Sequence, residues 1–131
     1  MNITEELTYS QKKYLFAIYK LGQHEKDVKS TDVAKLVGVS KASTAAMMTK
    51  LTDSGFIEKE YYGKIVLTEN GIKAAESIYS NCVVIRSFFE EKLMLEKERA
   101  DMDAVGVVAH ISEETAAKFA DYILKQQCGG H

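Results

Sequence analysis

Three groups of residues carry the side chains that could do chemistry. Ser40-Lys41-Ala42-Ser43-Thr44, with Lys50 further along, sets hydroxyls, ammonium groups and small methyl-bearing side chains along one short segment. Lys29-Ser30-Thr31 and Tyr62 with Lys64 add donors of the kind that nucleic-acid phosphates accept. A second group could hold a metal ion: His110 and Glu114 stand four apart, as helical ligand pairs do, and Cys128-Gly129-Gly130-His131 has C-x-x-H spacing. The third is the thiol of Cys82. Catalysis finds little to work with. There is no Gly-rich phosphate loop, no Ser-His-Asp or Cys-His set, and no pair of carboxylates in an apolar setting, and an enzyme reading therefore lacks its residues.

The metal-like spacings have plainer readings. Ser112 interrupts the helix between His110 and Glu114, which makes them a solvated pair at a corner, and the C-x-x-H tail is half of a zinc site. Cys82 and Cys128 form no CxxC pair and are too few for a disulfide framework, so reduced thiols are expected. The acidic runs Glu90-Glu91 and Glu96 to Glu98 read as a solvated helix end and loop. Phe88-Phe89 and Tyr61-Tyr62 read as packing rather than base-stacking platforms.

These residues must be positioned by a chain of 131 residues that is 46% hydrophobic and 27% charged, without Pro or Trp and with a net charge of −2. That is the profile of an ordinary globular protein. No apolar run approaches the roughly 18 residues of a membrane span, and the first residues are acidic where a secretory signal is basic. The expected location is cytoplasmic. Residues 1–71 carry ten Lys against nine acids, and residues 72–131 carry seven Lys or Arg against ten, an asymmetry too small to show nucleic-acid binding by itself. No internal repeat or low-complexity segment is visible.

Periodicity and caps supply the elements. Thr8-Tyr9-Ser10-Gln11 fits a capping box before a stripe of Tyr14, Leu15, Ile18, Tyr19 and Leu21 that ends at Gly22. Ser30 is the expected N-cap of a short helix stopped at Gly38, and Ser40 the N-cap of a helix through Ala45, Met48 and Leu51 that ends near Ser54-Gly55. Two helices joined around a Gly by about three residues are a helix-turn-helix. Phe56 to Tyr62 and Lys64 to Leu67 read as strands hinged at Gly63. Thr68-Glu69-Asn70-Gly71 then caps a long helix with apolar positions Ile72, Ala75, Ile78, Tyr79, Cys82, Ile85, Phe88 and Phe89. After Leu95 to Glu98, a helix from Met102 to Ile111 is apolar nearly all round, and Ser112 caps a last one before a frayed tail from Gln126.

Helix, turn, helix, hairpin, helix is a winged helix. Its second motif helix can enter the DNA major groove with its N-terminal residues, Ser40 to Thr44 and Ala45, against base edges. Lys29, Ser30, Thr31, Lys50, Tyr62 and Lys64 are the expected phosphate contacts. The reading helix has no Arg, Asn or Gln before Lys50, so methyl contacts from Ala42, Thr44 and Ala45, one flexible Lys41 and shape readout are expected.

Residues Tyr14 to Ser112 resemble the metal-dependent regulators of the diphtheria toxin repressor and manganese transport regulator type. The likeness lies in Tyr14-Leu15-Phe16-Ala17-Ile18-Tyr19, Asp32-Val33-Ala34-Lys35-Leu36, Val39 to Thr44, Lys50-Leu51, Gly55-Phe56-Ile57 and Leu67 to Gly71. It implies a homodimer whose winged domains grip a palindromic operator in double-stranded DNA, with a second domain that supplies the dimer contact and holds Mn(II) or Fe(II). Ligand by ligand, the resemblance places the family's metal site on Lys13, Phe16, Cys82, Val105, Val108 and Ala109, with His110 one position too late. A lone thiol among alkyl and aromatic groups does not suit these ions. The expectation is that the metal pocket is filled with apolar core. A pocket rebuilt for a small ligand, or control through Cys82 oxidation, stays open, and Cys82, His110 and Glu114 are the fallback ligands.

The expected fold is therefore mainly α: a winged helix-turn-helix domain with a two-stranded β wing over residues 1–71, then a small helical dimerisation domain over 72–131. The expected function is a sequence-specific DNA-binding transcriptional regulator, a repressor, with no cofactor assigned; Mn or Fe is implied by the resemblance alone. The alternatives are a winged regulator of the multiple-antibiotic-resistance type and a winged module that only holds a protein partner.

Overall fold

A computed structural model describes residues 7–24 and 27–128. The chain divides into two compact units, one spanning Leu7–Glu76 and one beginning at Ser77.

In the first unit, Thr8 and Gln11 close the expected box: the Thr8 amide donates to Gln11 Oε1 at 2.9 Å and the Gln11 amide to Thr8 Oγ1 at 3.1 Å. Helix α1 (Tyr9–His24) follows and passes through Gly22 rather than stopping there. It buries Tyr14, Leu15, Ala17 and Ile18. Helix α2 (Ser30–Val37) starts one residue away from the expected cap. Lys29, not Ser30, is the N-cap, because the Asp32 carboxylate reaches back to accept the Lys29 amide at 3.0 Å. Gly38 ends α2 in the left-handed region with φ 80°, a conformation that suits a residue without Cβ, and its amide donates to the Ala34 carbonyl at 2.9 Å. Helix α3 (Lys41–Asp53) begins at once, its Ser43 amide capped by Ser40 Oγ at 3.1 Å.

The hairpin is shorter than the two strand-like runs. Strand β1 (Ile57–Lys59) pairs antiparallel with β2 (Ile65–Leu67), Ile57 opposite Leu67 and Lys59 opposite Ile65. Residues 60–64 make the turn, with Gly63 at φ 88° and the Glu60 amide bonded to the Lys64 carbonyl at 2.7 Å. Tyr61 is fully exposed and stands edge-on to Tyr62, itself exposed, so this pair does not pack the wing as expected. Ile65 also donates to the Val28 carbonyl at 2.8 Å, which ties the wing to the segment before α2. The long helix α4 (Glu69–Glu91) starts under Thr68, whose Oγ1 accepts the Gly71 amide at 3.1 Å and donates to the Gly55 carbonyl at 2.6 Å. A Cβ at Gly71 would run into the Phe56 carbonyl. Leu15, Val33, Leu51 and Ile57, all but inaccessible, are the core of this unit.

In the second unit, Ile78, Cys82 and Ile85 of α4 are buried, while Tyr79 is 41% exposed. Ile72, expected on the same apolar stripe, is likewise 41% exposed within the first unit. Helix α5 (Lys97–His110) begins five residues before the expected Met102. Glu98 in its first turn favours the positive helix start, and Arg99 and Asp103 pair at 3.8 Å across one turn. It is not buried all round: Ala100, Ala104, Val108 and Ala109 face inward and Met102 is 65% exposed. Helix α6 (Glu113–Cys128) is capped by Ser112, whose Oγ accepts the Thr115 amide at 3.0 Å, and the helix continues through Gln126 and Gln127 where fraying was expected. The unit is tied by a Ser77 to Glu113 hydrogen bond and by the edge of Phe88 against Phe119 at 6.1 Å. None of the described helices is long and apolar enough to cross a membrane.

Candidate nucleic-acid interface

Helix α3 is two-faced. Thr44, Met48 and Leu51, at i, i+4 and i+7, are buried; Ala42, Ala45, Ala46 and Thr49, at i, i+3, i+4 and i+7, are exposed on the opposite side. Lys41 flanks the exposed row on one edge, Ser43 and Lys50 on the other, and no acid appears on α3 before Asp53. The cap orients this surface. Ser40, in extended conformation, caps the Ser43 amide, and the first residues of α3, Lys41 to Ser43, are exposed.

Of the residues expected at base edges, Thr44 is a correction. It is completely buried, and its hydroxyl has no hydrogen-bond partner among the described residues. It belongs to the buried face of α3 with Met48 and Leu51 and cannot reach a base. Ser40, Lys41, Ala42 and Ser43 are exposed, as are Lys29, Thr31, Lys50 and Tyr62; Ser30 is half-buried. Lys64 is only 28% exposed along its side chain and lies 3.8 Å from the Asp27 carboxylate. All these residues belong to the first unit. Asp27, Ala46 and Thr49 were not anticipated, although the i, i+3, i+4, i+7 spacing from Ala42 marks the last two.

The residues at the resemblance-derived metal positions do not fit a divalent ion. Lys13 offers a cation, with its ammonium 5.3 Å from the Tyr9 ring centre, and Phe16 is buried beneath the ammonium of Lys20. In the second unit Val108 and Ala109 are buried alkyl groups, Val105 is half-buried, and buried Cys82 carries the one donor atom of the set. Mn(II) and Fe(II) require several oxygen and nitrogen donors at once. Nor do the fallback ligands converge: His110 Nδ1 bonds the Gly106 carbonyl at 2.8 Å and Glu114 pairs with Lys118 at 3.4 Å. No group of three His, Cys, Asp or Glu that could hold a metal occurs among the described residues. The Cys128 side chain and residues 129–131, which carry the C-x-x-H spacing, lie outside the described residues.

A family profile described as the iron dependent repressor N-terminal DNA binding domain matches residues 6–65. The chain is 28% identical over 117 residues to an HTH-type transcriptional regulator of Methanocaldococcus jannaschii, covering 89% of this chain and 90% of the relative. It is 30% identical over 106 residues to the transcriptional regulator MntR of Escherichia coli, covering 81% of this chain and 68% of that protein. Among solved structures, the metal-dependent transcriptional regulator MtsR superposes with a TM-score of 0.75 at 23% identity over 88% of this chain and 53% of its own. The manganese regulator SloR gives 0.70 at 23% identity over 86% and 54%. The chain spans about half the length of these solved regulators, and at that identity the likeness is one of fold.

Proposed function

Because the chain belongs to the iron- and manganese-dependent repressor family of DNA-binding transcriptional regulators, we propose that it is a sequence-specific repressor that grips a palindromic operator as a cytoplasmic homodimer. Residues 1–71 form the DNA-binding domain and residues 72–131 the dimerisation domain. The family consists of regulators rather than enzymes, in keeping with the lack of catalytic residue sets. The observation that carries the reading is the exposed, Ser40-capped start of α3, with Lys41 and Lys50 on its edges and Lys29, Thr31 and Tyr62 exposed in the same unit.

The repressor works without a metal at the family's usual positions. Support comes from donor chemistry: five of the six positions, Lys13, Phe16, Val105, Val108 and Ala109, present no lone pair, and burying alkyl groups removes the cost of gathering unpaired carboxylates in a protein without ion.

The test is fluorescence anisotropy of the purified chain on the DNA upstream of its own coding sequence, in chelator and then with excess Mn(II) or Fe(II). Preference over random duplex with the same affinity in both conditions is expected. Binding that requires metal would overturn the metal-independent part, and absence of any preference would overturn the repressor.

A further inference from the structure

The exposed face of α3 has almost nothing with which to read a base by hydrogen bonding. Ala42, Ala45 and Ala46 end in methyl groups. Thr49 has its hydroxyl proton tied back to the Ala45 carbonyl at 3.2 Å, which leaves it a methyl group and no side-chain donor to offer outward. Thr52 is likewise engaged, donating to the Met48 carbonyl at 2.8 Å, and Ser40 Oγ accepts the Ser43 amide. The flexible ammonium of Lys41 and the hydroxyl protons of Ser40 and Ser43, all at the very start of the helix, are the remaining side-chain donors before Lys50, and Thr44 is buried. Four methyl-bearing residues at i, i+3, i+4 and i+7 thus make one continuous apolar ridge opposite the buried face, with lysines at its edges and no acid before Asp53.

An apolar ridge between cationic edges complements a surface that is itself apolar in the middle and anionic at its margins. In the major groove the one apolar feature of base edges is the C5 methyl of thymine, and phosphates line both sides. We propose that the Ala42-Ala45-Ala46-Thr49 ridge reads thymine C5 methyl groups, so that the operator half-site is defined by runs of thymine on the strand facing α3. This rests on the DNA-binding reading above and adds the class of sequence that is bound. Lys41 and Lys50 hold the helix against the backbone while the ridge excludes water from the methyls. Removal of each methyl costs about fourfold in affinity, the equivalent of exposing one buried methylene-sized group.

The experiment uses the full chain to enrich binders from a pool of random duplexes. The enriched pool is amplified in parallel with thymidine or deoxyuridine triphosphate, since uracil keeps every hydrogen-bonding edge of thymine and lacks only the methyl. The uracil duplexes are expected to bind tenfold or more weakly, with the unselected pool unaffected. Thr49→Ser removes one methyl from an exposed site and keeps the hydroxyl, and it is expected to lower the thymine-over-uracil ratio about fourfold at a single position of the site. Equal binding of the two forms by the wild-type chain would overturn the ridge as a methyl reader while leaving the repressor in place. Undiminished discrimination by Thr49→Ser at every thymine would overturn the assignment to this ridge. If no sequence is enriched over the random pool, the repressor reading falls with it.

Discussion

The ammonium group of Lys64 lies 3.8 Å from the carboxylate of Asp27, so that this cation of the wing is paired with an acid from the segment before α2. A surface pair of this kind, with Asp27 60% exposed, contributes only about 0–1 kcal/mol to stability, but a phosphate that would use Lys64 must compete with Asp27 for it. Asp27→Asn is therefore expected to tighten binding to duplex DNA several-fold at low salt. The plot of log affinity against log salt should steepen by about one ion. An unchanged slope, measured by anisotropy, would place Lys64 outside the interface.

Lys41 stands exposed at the start of α3 with no acid beside it on that helix. Lys41→Ala is expected to weaken both specific and random DNA and to flatten the salt slope by about one ion, because an ammonium group on a flexible stem acts chiefly as a point charge. Loss confined to one sequence, with the slope intact, would make Lys41 a base reader instead.

Burial of Thr44 changes what its replacement should do. Its hydroxyl is removed from water without a hydrogen-bond partner among the described residues, a situation that costs about 1–3 kcal/mol. Valine has the same shape and the same stiffness at the first side-chain bond. Thr44→Val is expected to raise the urea midpoint, by the equivalent of about 1 kcal/mol, with an unchanged slope and unchanged sequence preference. A lower midpoint would mean that the hydroxyl is satisfied in solution.

The caps were legible because cap chemistry is local: Thr8, Ser40, Thr68 and Ser112 each hold an amide three residues on. Lys29 was missed because a lysine side chain has no oxygen to cap an amide; the bond at this helix start runs the other way, from the Lys29 amide to the Asp32 carboxylate. The phase of α3 was read one residue off. Ala45, Met48 and Leu51, at i, i+3 and i+6, drift around a helix of 3.6 residues per turn, whereas Thr44, Met48 and Leu51 stay on one side. Spacing therefore favours the set with threonine in it, against the ordinary preference for alanine inside. The Lys64 to Asp27 pair joins residues far apart in sequence and had no local signature.

Dimer formation should be indifferent to chelation. Phe16, Val108 and Ala109 are buried and provide no lone pair, so a chelator has no ion to withdraw from these positions. Sedimentation equilibrium in excess chelator is expected to give the mass of two chains, the same as in excess Mn(II). Dissociation to single chains in chelator alone would show that an ion is held by other residues.

The bond from the Ile65 amide to the Val28 carbonyl makes the wing's root part of the folded unit, while the turn at Glu60 to Gly63 carries the fully exposed Tyr61. A recognition loop normally loses about 1–2 kcal/mol of chain entropy per residue when a partner immobilises it. Here β2 is already hydrogen-bonded to β1 and to Val28 in the chain without a duplex, so little of that cost is expected to fall on it. Encounter with DNA is thus closer to the docking of a finished surface than to the ordering of a loose one, and association should be fast, with differences among sequences appearing chiefly in how long the complex lasts.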